Sequence, residues 1–357
     1  MQIGLIGLPQ AGKRTLFRLL TGVDPSATAP SAKGTTLGIS TVRDPRIDRL
    51  AAMYRPKKLT PATIQYVLLP DLTKEAEKNR TLFQAVETVD ALCHIVRAFE
   101  DESVFHVDGS INPMRDVQQL QAELLLNDLV FIEKRLERIA KETARSGLNA
   151  ERKAEQAVLE RCRQHLETEQ PLRTLTLTEQ ELKPLTGYPL MTPKACLVAL
   201  NVGEGQVADA ALQRQVLERY GAHGVGVVQV SAKIEQELEQ LDPSERAGFL
   251  KELGIDEPAL AKMTRACYER LGLMSYFTVG EDEVRAWTVR RGANAQEAAG
   301  AIHSDLSRTF IRAEHMTFDD LVTLGSEEAA KQAGKWSLKS REFIVQDGDI
   351  LSFRAGG

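Results

Sequence analysis

Short apolar runs alternate with mixed polar and apolar stretches through the first two thirds of the chain. The runs have the length of buried strands and lie at residues 3–6, 64–69, 91–96, 196–200 and 225–230. A helical pattern over residues 13–20 follows the first run. Residues 23–43, rich in Ala, Ser, Thr, Gly and Pro, are typical of a long loop. This pattern predicts an α/β fold with a parallel sheet covered on both faces.

A different periodicity marks roughly residues 115–170. Apolar side chains recur there at alternating spacings of four and three, as they do along one face of a long helix. This stripe consists of Leu125, Leu129, Ile132, Leu136 and Ile139. After a turn at residues 146–149, a second helical run carries Val158, Cys162 and Leu166. We therefore predict an antiparallel helical hairpin inserted into the α/β domain.

The last ~80 residues change character again. Residues 284–289 alternate between apolar and polar like a strand, and residues 295–310 have a helical pattern. Two further apolar runs, at 343–345 and 350–353, flank the pair Asp347-Gly348, which is a strong hairpin signal. Strands folded around one helix would make a small α+β domain.

The composition is that of an ordinary globular protein. Of the 357 residues, 43% are hydrophobic and 27% are charged, which excludes a disordered or collagen-like chain. No apolar run approaches the ~18 residues of a membrane helix, and the N-terminus lacks the basic and apolar regions of a signal peptide. We therefore expect a cytoplasmic protein with no membrane partner. The four cysteines lack metal-binding or redox spacing and are expected to be reduced core thiols.

The formal net charge is −5, so the chain as a whole carries no signature of nucleic-acid binding. Locally, residues 131–165 hold nine basic and six acidic side chains. This segment is either a solvated helix face or a contact to RNA phosphates. Residues 275–357 hold ten basic and thirteen acidic side chains, which favours a protein partner for that part.

A phosphate-loop pattern, GxxxxGK, stands between the first strand and the helix that follows it. It runs from Gly7 to Lys13. Glycines let such a loop wrap a phosphate, the amides at the helix N-terminus face the anion, and the lysine reaches the β- and γ-phosphates. The alternative is a glycine-rich turn that binds nothing. The predicted phosphate contacts are Pro9, Gln10, Ala11, Gly12, Lys13, Arg14 and Thr15.

The residue after the lysine departs from the pattern. A serine or threonine hydroxyl normally binds Mg²⁺ there, but this chain has Arg14, which has no lone pair to offer a metal. Thr15 comes one place late and is rotated by about 100° around the helix. Arg14 would either bind phosphate directly, in place of Mg²⁺, or point away from the site. A Mg²⁺ cofactor is therefore doubtful, and no residue is assigned as a metal ligand.

Two later strand ends match turns that hold the base in P-loop GTPases. Asn201-Val202-Gly203-Glu204 follows the run at 196–200, and Ser231-Ala232-Lys233 follows the run at 225–230. In those GTPases the first turn reads NKxD and its aspartate accepts hydrogen bonds from guanine, whereas a glutamate takes that place here. Plain strand-end turns are the alternative. The predicted base contacts are Asn201, Val202, Glu204, Ser231 and Ala232.

Seven further stretches carry a resemblance that covers essentially the whole chain. They are DPRID at 44–48, HIVRAFE at 94–100, FLKELG at 249–254, YFT at 276–278, VRAWT at 284–288, AGKW at 333–336 and IVQDGD at 344–349. With these, the chain resembles the YchF or Obg-like ATPase family of P-loop NTPases. The resemblance implies ATP in preference to GTP, with NxxE at Asn201 and Glu204 replacing NKxD. It also implies association with ribosomes, in which the basic residues of 131–165 would contact ribosomal RNA phosphates, and a role in translation and stress regulation.

The same resemblance implies three parts. A P-loop nucleotide-binding G domain would comprise residues 1–114 and 185–274, an inserted helical arm residues 115–184, and a C-terminal TGS domain of β-grasp fold residues 275–357. The expected fold class is thus α/β, a P-loop NTPase G domain with an inserted antiparallel helical hairpin and a C-terminal β-grasp domain. We expect a monomer.

Positions that serve the metal and the γ-phosphate in the family differ here together. Ala32 stands at the switch I threonine, although Thr35 and Thr36 are close enough for a small shift to supply a hydroxyl. Leu68 stands at the Walker B aspartate, and Asp71 at the glycine that senses the γ-phosphate. The switch II loop is shortened to residues 73–79 and has no glycine. A second reading makes Asp71 a relocated metal ligand.

Because the phosphate loop and Lys13 are retained, we expect nucleotide binding, to ATP or GTP, with weak or lost hydrolysis. The alternative is a catalytically dead adaptor that binds ribosome, RNA or protein without nucleotide. Whether the chain is an enzyme is left open, and no catalytic residue is assigned. His94, inside a predicted strand, is expected to be a packed or hydrogen-bonded core histidine rather than a catalytic one.

Overall fold

The structure of the protein, a computed structural model, describes residues 1–31, 34–73, 79–146 and 149–356. Its backbone divides into two compact units. The first comprises Met1–Gly38 and Gln65–Met263, and the second comprises Ile39–Ile64 and Thr264–Gly357. The second unit thus takes in a segment from the first part of the chain. The three-part boundaries expected from the sequence remain predictions.

Within the described residues, the strands form two six-stranded sheets. They are β1 Gln2–Ile6, β2 Thr36–Thr41, β3 Lys58–Thr60, β4 Thr63–Leu68, β5 Ala91–Arg97, β6 Ala195–Asn201, β7 Val225–Val230, β8 Leu273–Thr278, β9 Glu283–Arg290, β10 Phe310–Thr317, β11 Ser337–Lys339 and β12 Asp349–Ala355.

The helices of the described residues include one, α4 (Pro113–Ser146), that is much longer than the rest. They are α1 Lys13–Thr21, α2 Pro45–Tyr54, α3 Arg80–Val86, α4 Pro113–Ser146, α5 Ala150–Glu167, α6 Glu179–Leu182, α7 Ala211–Tyr220, α8 Ala232–Gln240, α9 Arg246–Glu252, α10 Ala259–Arg270, α11 Ala295–Ile302, α12 Ser304–Arg308, α13 Phe318–Leu324 and α14 Glu327–Gln332.

The first sheet has the strand order β2-β4-β1-β5-β6-β7. Strands β4, β1, β5, β6 and β7 are parallel. Strand β1 lies between β4 and β5, where Leu5 pairs with Leu68 on one side and Cys93 on the other. Every residue of β5 is buried, as expected for a strand covered on both faces. The predicted parallel α/β sheet is confirmed. Because parallel strands end at one edge, the loops after β1, β4, β6 and β7 lie at the same edge.

The prediction of one loop over residues 23–43 was wrong at its C-terminal end, where β2 forms. In β2 the burial alternates with period two. Small polar side chains, those of Thr36 and Ser40, are buried, whereas Leu37 and Ile39 are 51% and 55% exposed. The hydrophobic pattern is therefore inverted relative to an ordinary half-buried strand, and a reading of apolar positions misses it.

Helices α4 and α5 form the predicted antiparallel hairpin. Arg135 near the middle of α4 pairs with Glu155 of α5, with Nε to Oε1 at 2.6 Å. Nearer the turn, Glu142 pairs with Arg152, with Oε2 to Nε at 3.7 Å. From the first pair to the second, the residue number rises along α4 and falls along α5, so the two helices are antiparallel. Of the predicted turn, residues 147–148 lie outside the described residues. The hairpin core includes Ile132, Ile139, Val158, Leu159, Cys162 and Leu166.

A buried carboxylate fastens the base of this hairpin to the chain before β6. Asp128 accepts hydrogen bonds from the backbone N–H of Met191 at 2.7 Å and of Thr192 at 2.8 Å, and from the Thr192 hydroxyl at 2.6 Å. Burial raises the pKa of this carboxyl, and the three hydrogen bonds oppose that rise. The start of β6 is thus positioned by the helical insertion.

The second sheet has the order β11-β10-β12-β8-β9-β3. Strand β10 is antiparallel to β11 and β12, and β8 is antiparallel to β9. The pairs β12–β8 and β9–β3 are parallel. Helix α11 packs its alanines against this sheet, in a core that includes Tyr276, Ala295, Ala298, Ala299 and Leu351.

Two expectations for the C-terminal residues were wrong. The helix expected over 295–310 breaks at His303, whose φ of −160° is extended, and β10 already begins at Phe310. The hairpin expected at Asp347-Gly348 does not form, since residues 343–345 contribute only an isolated bridge from Ile344. The Asp347 carboxylate instead accepts the backbone N–H of Ser275 at 3.0 Å. A strong local turn signal was overridden by contacts distant in sequence.

Among the described residues, no helix has the length and hydropathy needed to cross a bilayer. Within the same part of the chain, no group of three or more His, Cys, Asp or Glu side chains is placed to hold a metal ion. The four cysteines, Cys93, Cys162, Cys196 and Cys267, all lie in the described part of the chain, where they are buried and not joined by disulfides.

Candidate nucleotide-binding site

The loop between β1 and α1 has the backbone shape of an anion-binding nest. Gln10 has φ +63° and Gly12 has φ +89°, both left-handed, the backbone conformation from which anion-binding nests are built. Gly7 is required by space, because a Cβ built there would lie 2.4 Å from the carbonyl oxygen of Ile95 on β5. The predicted strand–loop–helix context of the phosphate loop is therefore present.

Asn201, at the end of β6, holds this loop from behind. Its Nδ2 donates to the carbonyl oxygen of Ala11 at 3.0 Å, and its Oδ1 accepts from the backbone N–H of Ala232 at 3.0 Å. The approach is so close that a Cβ on Gly12 would lie 2.2 Å from Nδ2. The sequence predicted that Asn201 lies near the base, and the structure adds that it joins the phosphate loop to the start of α8.

Lys13 is the buried cation of the site. Its side chain is 3% exposed, and its Nζ donates to the carbonyl oxygens of Leu69 at 2.9 Å and Pro70 at 3.1 Å. The third contact is an ion pair with Asp71, Nζ to Oδ1 at 2.8 Å. Burial lowers the pKa of Lys13 and Asp71 opposes that effect. The ammonium thus holds three protein oxygens at the end of β4.

A cavity of about 510 Å³ adjoins this ion pair. Arg14, which is exposed at the first turn of α1, contributes one wall, and the buried Thr36 of β2 another. Asp71 is the one carboxylate among the described residues that line it. Thr15 is half-buried and does not belong to the lining. The remaining lining residues are Pro25, Ser26, Ala27, Thr28, Ala29, Pro30, Gly34, Leu68, Leu69 and Pro70.

The donor set around the loop does not fit a Mg²⁺ ion. Mg²⁺ takes carboxylate, hydroxyl and water oxygens, whereas Arg14 and Leu68 fill the two positions that supply such oxygens in P-loop proteins. The carboxylate of Asp71 is already paired with Lys13. The Ala32 position lies outside the described residues, as do residues 74–78 of the shortened switch II segment.

The turns after β6 and β7 meet through an ion pair. Glu204 Oε1 lies 2.5 Å from Lys233 Nζ, and both side chains are exposed. That contact raises the pKa of Lys233. Val202 is 2% exposed and packs in the core, so its side chain is not available to a base. Ser231 accepts from the backbone N–H of Ile234 and caps α8.

The remaining predicted phosphate contacts differ in exposure. Pro9 is half-buried and Gln10 is exposed, while Ala11 is buried. Sequence reasoning missed the partners of Lys13, namely the two carbonyls and the carboxylate at residues 69–71. The signal that could have found them is the rule that parallel strands end at one edge, since β4 is the neighbour of β1.

His94 lies in the middle strand β5, opposite Ile6 of β1. It is fully buried, and within the described residues neither ring nitrogen has a hydrogen-bond partner. Burial, with a smaller contribution from the charge of Lys13, lowers its pKa to about 3. The residue is therefore a packed, neutral core histidine, as expected.

The fold and the loop together define a P-loop NTPase G domain with a helical insertion and a C-terminal α+β domain. Residues 273–356 match the family model described as "YchF-GTPase_C: Protein of unknown function (DUF933)". The solved structure of the YchF GTPase of Schizosaccharomyces pombe aligns with a TM-score of 0.83 and 31% identity, covering 99% of this chain and 97% of that one.

Curated relatives match over nearly the whole length. The "Ribosome-binding ATPase YchF" of Bacillus subtilis is 39% identical, and that of Escherichia coli O157:H7 is 37% identical, each over 98% of both chains. "Obg-like ATPase 1" of Schizosaccharomyces pombe is 33% identical over 100% of this chain and 94% of its own. The chain belongs to the YchF/Obg-like ATPase family.

Proposed function

We propose that this protein is a ribosome-associated regulator that binds nucleotide at residues 9–15, prefers adenine to guanine, and hydrolyses the nucleotide slowly or not at all. The observation that carries the proposal is the loop itself, which is left-handed at Gln10 and Gly12, leads into the buried Lys13 and is bonded at the Ala11 carbonyl by Asn201. The left-handed conformation of Gln10 costs backbone strain, and strain of this kind is enriched at ligand-binding sites.

Arg14 supports phosphate binding without a metal. It is exposed at the N-terminus of α1 and borders the cavity beside Lys13. A guanidinium presents up to five donors and keeps its charge at every relevant pH, so it neutralises phosphate where Mg²⁺ has no ligands. The helix N-terminus adds further positive potential at the same place.

The adenine preference rests on Glu204 and on the relatives. A carboxylate that selects guanine must be free to accept from the guanine N–H groups, and Glu204 is instead engaged by Lys233. The curated relatives are named ATPases.

Slow hydrolysis follows from the donor set described above. Phosphoryl transfer depends mostly on positioning and on charge neutralisation by the metal and the loop. Removing one preorganised electrostatic donor costs on the order of 10²–10³ in rate. With Arg14 and Leu68 at two such positions, we expect turnover far below that of P-loop enzymes that keep both.

The ribosome is the proposed partner because the curated relatives are named ribosome-binding. The excess of three positive charges on residues 131–165 suits a contact to RNA phosphates. A cytoplasmic location agrees with such a partner, and a monomer remains the expected state.

A nucleotide-independent adaptor is the second candidate. It is favoured by the three protein oxygens already bound to Lys13, which leave the ammonium without need of a phosphate.

Calorimetric titration with ATP and GTP, in Mg²⁺ and in EDTA, separates the two candidates. We expect micromolar ATP binding that is insensitive to EDTA, is lost in Lys13→Ala and is weakened in Arg14→Ser. Arg18→Ser is the matched control, since Arg18 lies one turn further along α1 and pairs with Glu239 at 3.2 Å instead of lining the cavity. Absence of heat with both nucleotides would leave the adaptor.

A further inference from the structure

Asp71 occupies one of the three contacts of the Lys13 ammonium, with Oδ1 2.8 Å from Nζ. The carboxylate itself is partly exposed, at 37%, and lies on the cavity wall. It therefore faces two ways, toward the buried cation and toward the space that Arg14 also borders.

The phosphate groups of a nucleotide depend on different parts of such a loop. Backbone amides cradle the α- and β-phosphates, whereas the lysine and the metal hold the β- and γ-phosphates. In this chain the amides are retained, the metal ligands are replaced, and the lysine is paired with a carboxylate. The amide cradle for the first two phosphates is thus kept, whereas a γ-phosphate lacks the metal and must share its lysine with a carboxylate.

We propose that Asp71 makes this site selective for nucleoside diphosphates over nucleoside triphosphates. The Asp71 carboxylate is paired with the Lys13 ammonium at the place where the γ-phosphate of a triphosphate would otherwise bind. This inference rests on the proposed function, because it presumes that nucleotide binds at residues 9–15.

Electrostatics gives the direction of the effect. A triphosphate brings one more negative group than a diphosphate, and that group would meet the Asp71 carboxylate with no metal between them. Like charges brought together in a partly buried site are strongly unfavourable. The triphosphate would also have to take Lys13 from Asp71 and leave that carboxylate without its counter-ion.

The experiment compares ADP with the β,γ-methylene analogue of ATP, which is not hydrolysed, by calorimetric titration in EDTA and in Mg²⁺. We expect ADP to bind the intact protein about tenfold more tightly than the analogue or better. Asp71→Asn keeps the size and the hydrogen-bond acceptor but removes the charge. It should tighten the analogue about tenfold while changing ADP by less than about threefold.

Glu239→Gln is the matched control. Glu239 lies in α8 and pairs with Arg18, which is on α1 like Lys13. Because Glu239 does not line the cavity, removing its charge should leave the ratio of ADP affinity to analogue affinity unchanged. Equal affinity for the two nucleotides in the intact protein, or an unchanged ratio in Asp71→Asn, overturns the proposal. So does weaker Mg²⁺-dependent binding of the analogue in Asp71→Asn, because Asp71 would then be a metal ligand. Absence of heat with both ADP and the analogue overturns the proposed function itself.

Discussion

The side chain of Asn201 donates to the carbonyl oxygen of Ala11 through Nδ2 and accepts the backbone N–H of Ala232 through Oδ1, both at 3.0 Å. One buried amide thereby joins the phosphate loop, the end of β6 and the start of α8. Since the amide is 2% exposed, water cannot replace either hydrogen bond.

Asn201→Ala should therefore destabilise the protein and misplace the loop. Two buried backbone groups lose their partner, which costs about 2–4 kcal/mol of the free energy of unfolding. We expect nucleotide affinity to fall by about tenfold or more, because the loop geometry is no longer held. Urea unfolding and calorimetric titration measure the two effects. Gln206→Ala is the control, because the side-chain oxygen of Gln206 accepts from the Gly203 N–H at 2.9 Å, within its own turn.

The parts of this site that the sequence predicted are those governed by local rules. The spacing of Gly7, Gly12 and Lys13 predicted a strand–loop–helix, and the structure has that element. The pairing of Lys13 with Asp71 was not predicted, because it depends on which strand lies beside β1. The second role of Asn201 depends in the same way on the neighbours of β6.

The fold shows the same division between local and distant determinants. The long apolar stripe of α4 needs only its own periodicity, so the hairpin was predictable. Strand β3, at Lys58–Thr60, pairs with β9 more than 200 residues later, and its three residues carry no apolar period. Likewise, the Asp347 carboxylate accepts the backbone N–H of Ser275 and does not take part in a hairpin turn. Pairings of this kind are decided by tertiary contacts, which local propensity does not contain.

Gly7→Ala should destabilise the α/β sheet at its centre. The new Cβ would lie 2.4 Å from the carbonyl oxygen of Ile95, and since both are backbone positions neither can rotate away. Overpacking of this kind costs about 1–3 kcal/mol of the free energy of unfolding. Urea denaturation followed by circular dichroism measures it. At Gly205 a Cβ meets nothing within 4 Å and no positive φ is required, so Gly205→Ala should be close to neutral.

Lys233→Met should change the choice of base rather than the fold. Glu204 would lose its ion-pair partner and become free to accept from the N–H groups of guanine, while presenting a repulsive carboxylate to the acceptor N1 of adenine. We expect the ratio of ATP to GTP affinity to fall by about tenfold, a change of the size found for one good polar contact. Competition binding with both nucleotides measures the ratio. Lys251→Met on α9 is the control, and a ratio that moves equally in both variants would refute the assignment of Glu204.

His94 makes the stability of the protein depend on pH. Its pKa is about 3 in the folded chain, against an ordinary value of 6.5. Between these two pH values the unfolded chain binds the proton and the folded chain does not. His94 therefore does not reduce the free energy of unfolding above pH 6.5, and it reduces that free energy progressively as the pH falls from 6.5 toward 3. From pH 8 to pH 5 this one residue should remove about 2 kcal/mol.

Substitution isolates that contribution. Neither nitrogen of His94 has a hydrogen-bond partner among the described residues, so His94→Leu removes the titrating group without breaking a hydrogen bond. We expect the free energy of unfolding of His94→Leu to fall less between pH 8 and pH 5 than that of the unaltered protein, by about 2 kcal/mol. If His94→Leu retained the full pH dependence, the buried histidine would have to be charged in the folded protein or the loss would have to come from other groups, and the account of His94 as a neutral core residue would be wrong.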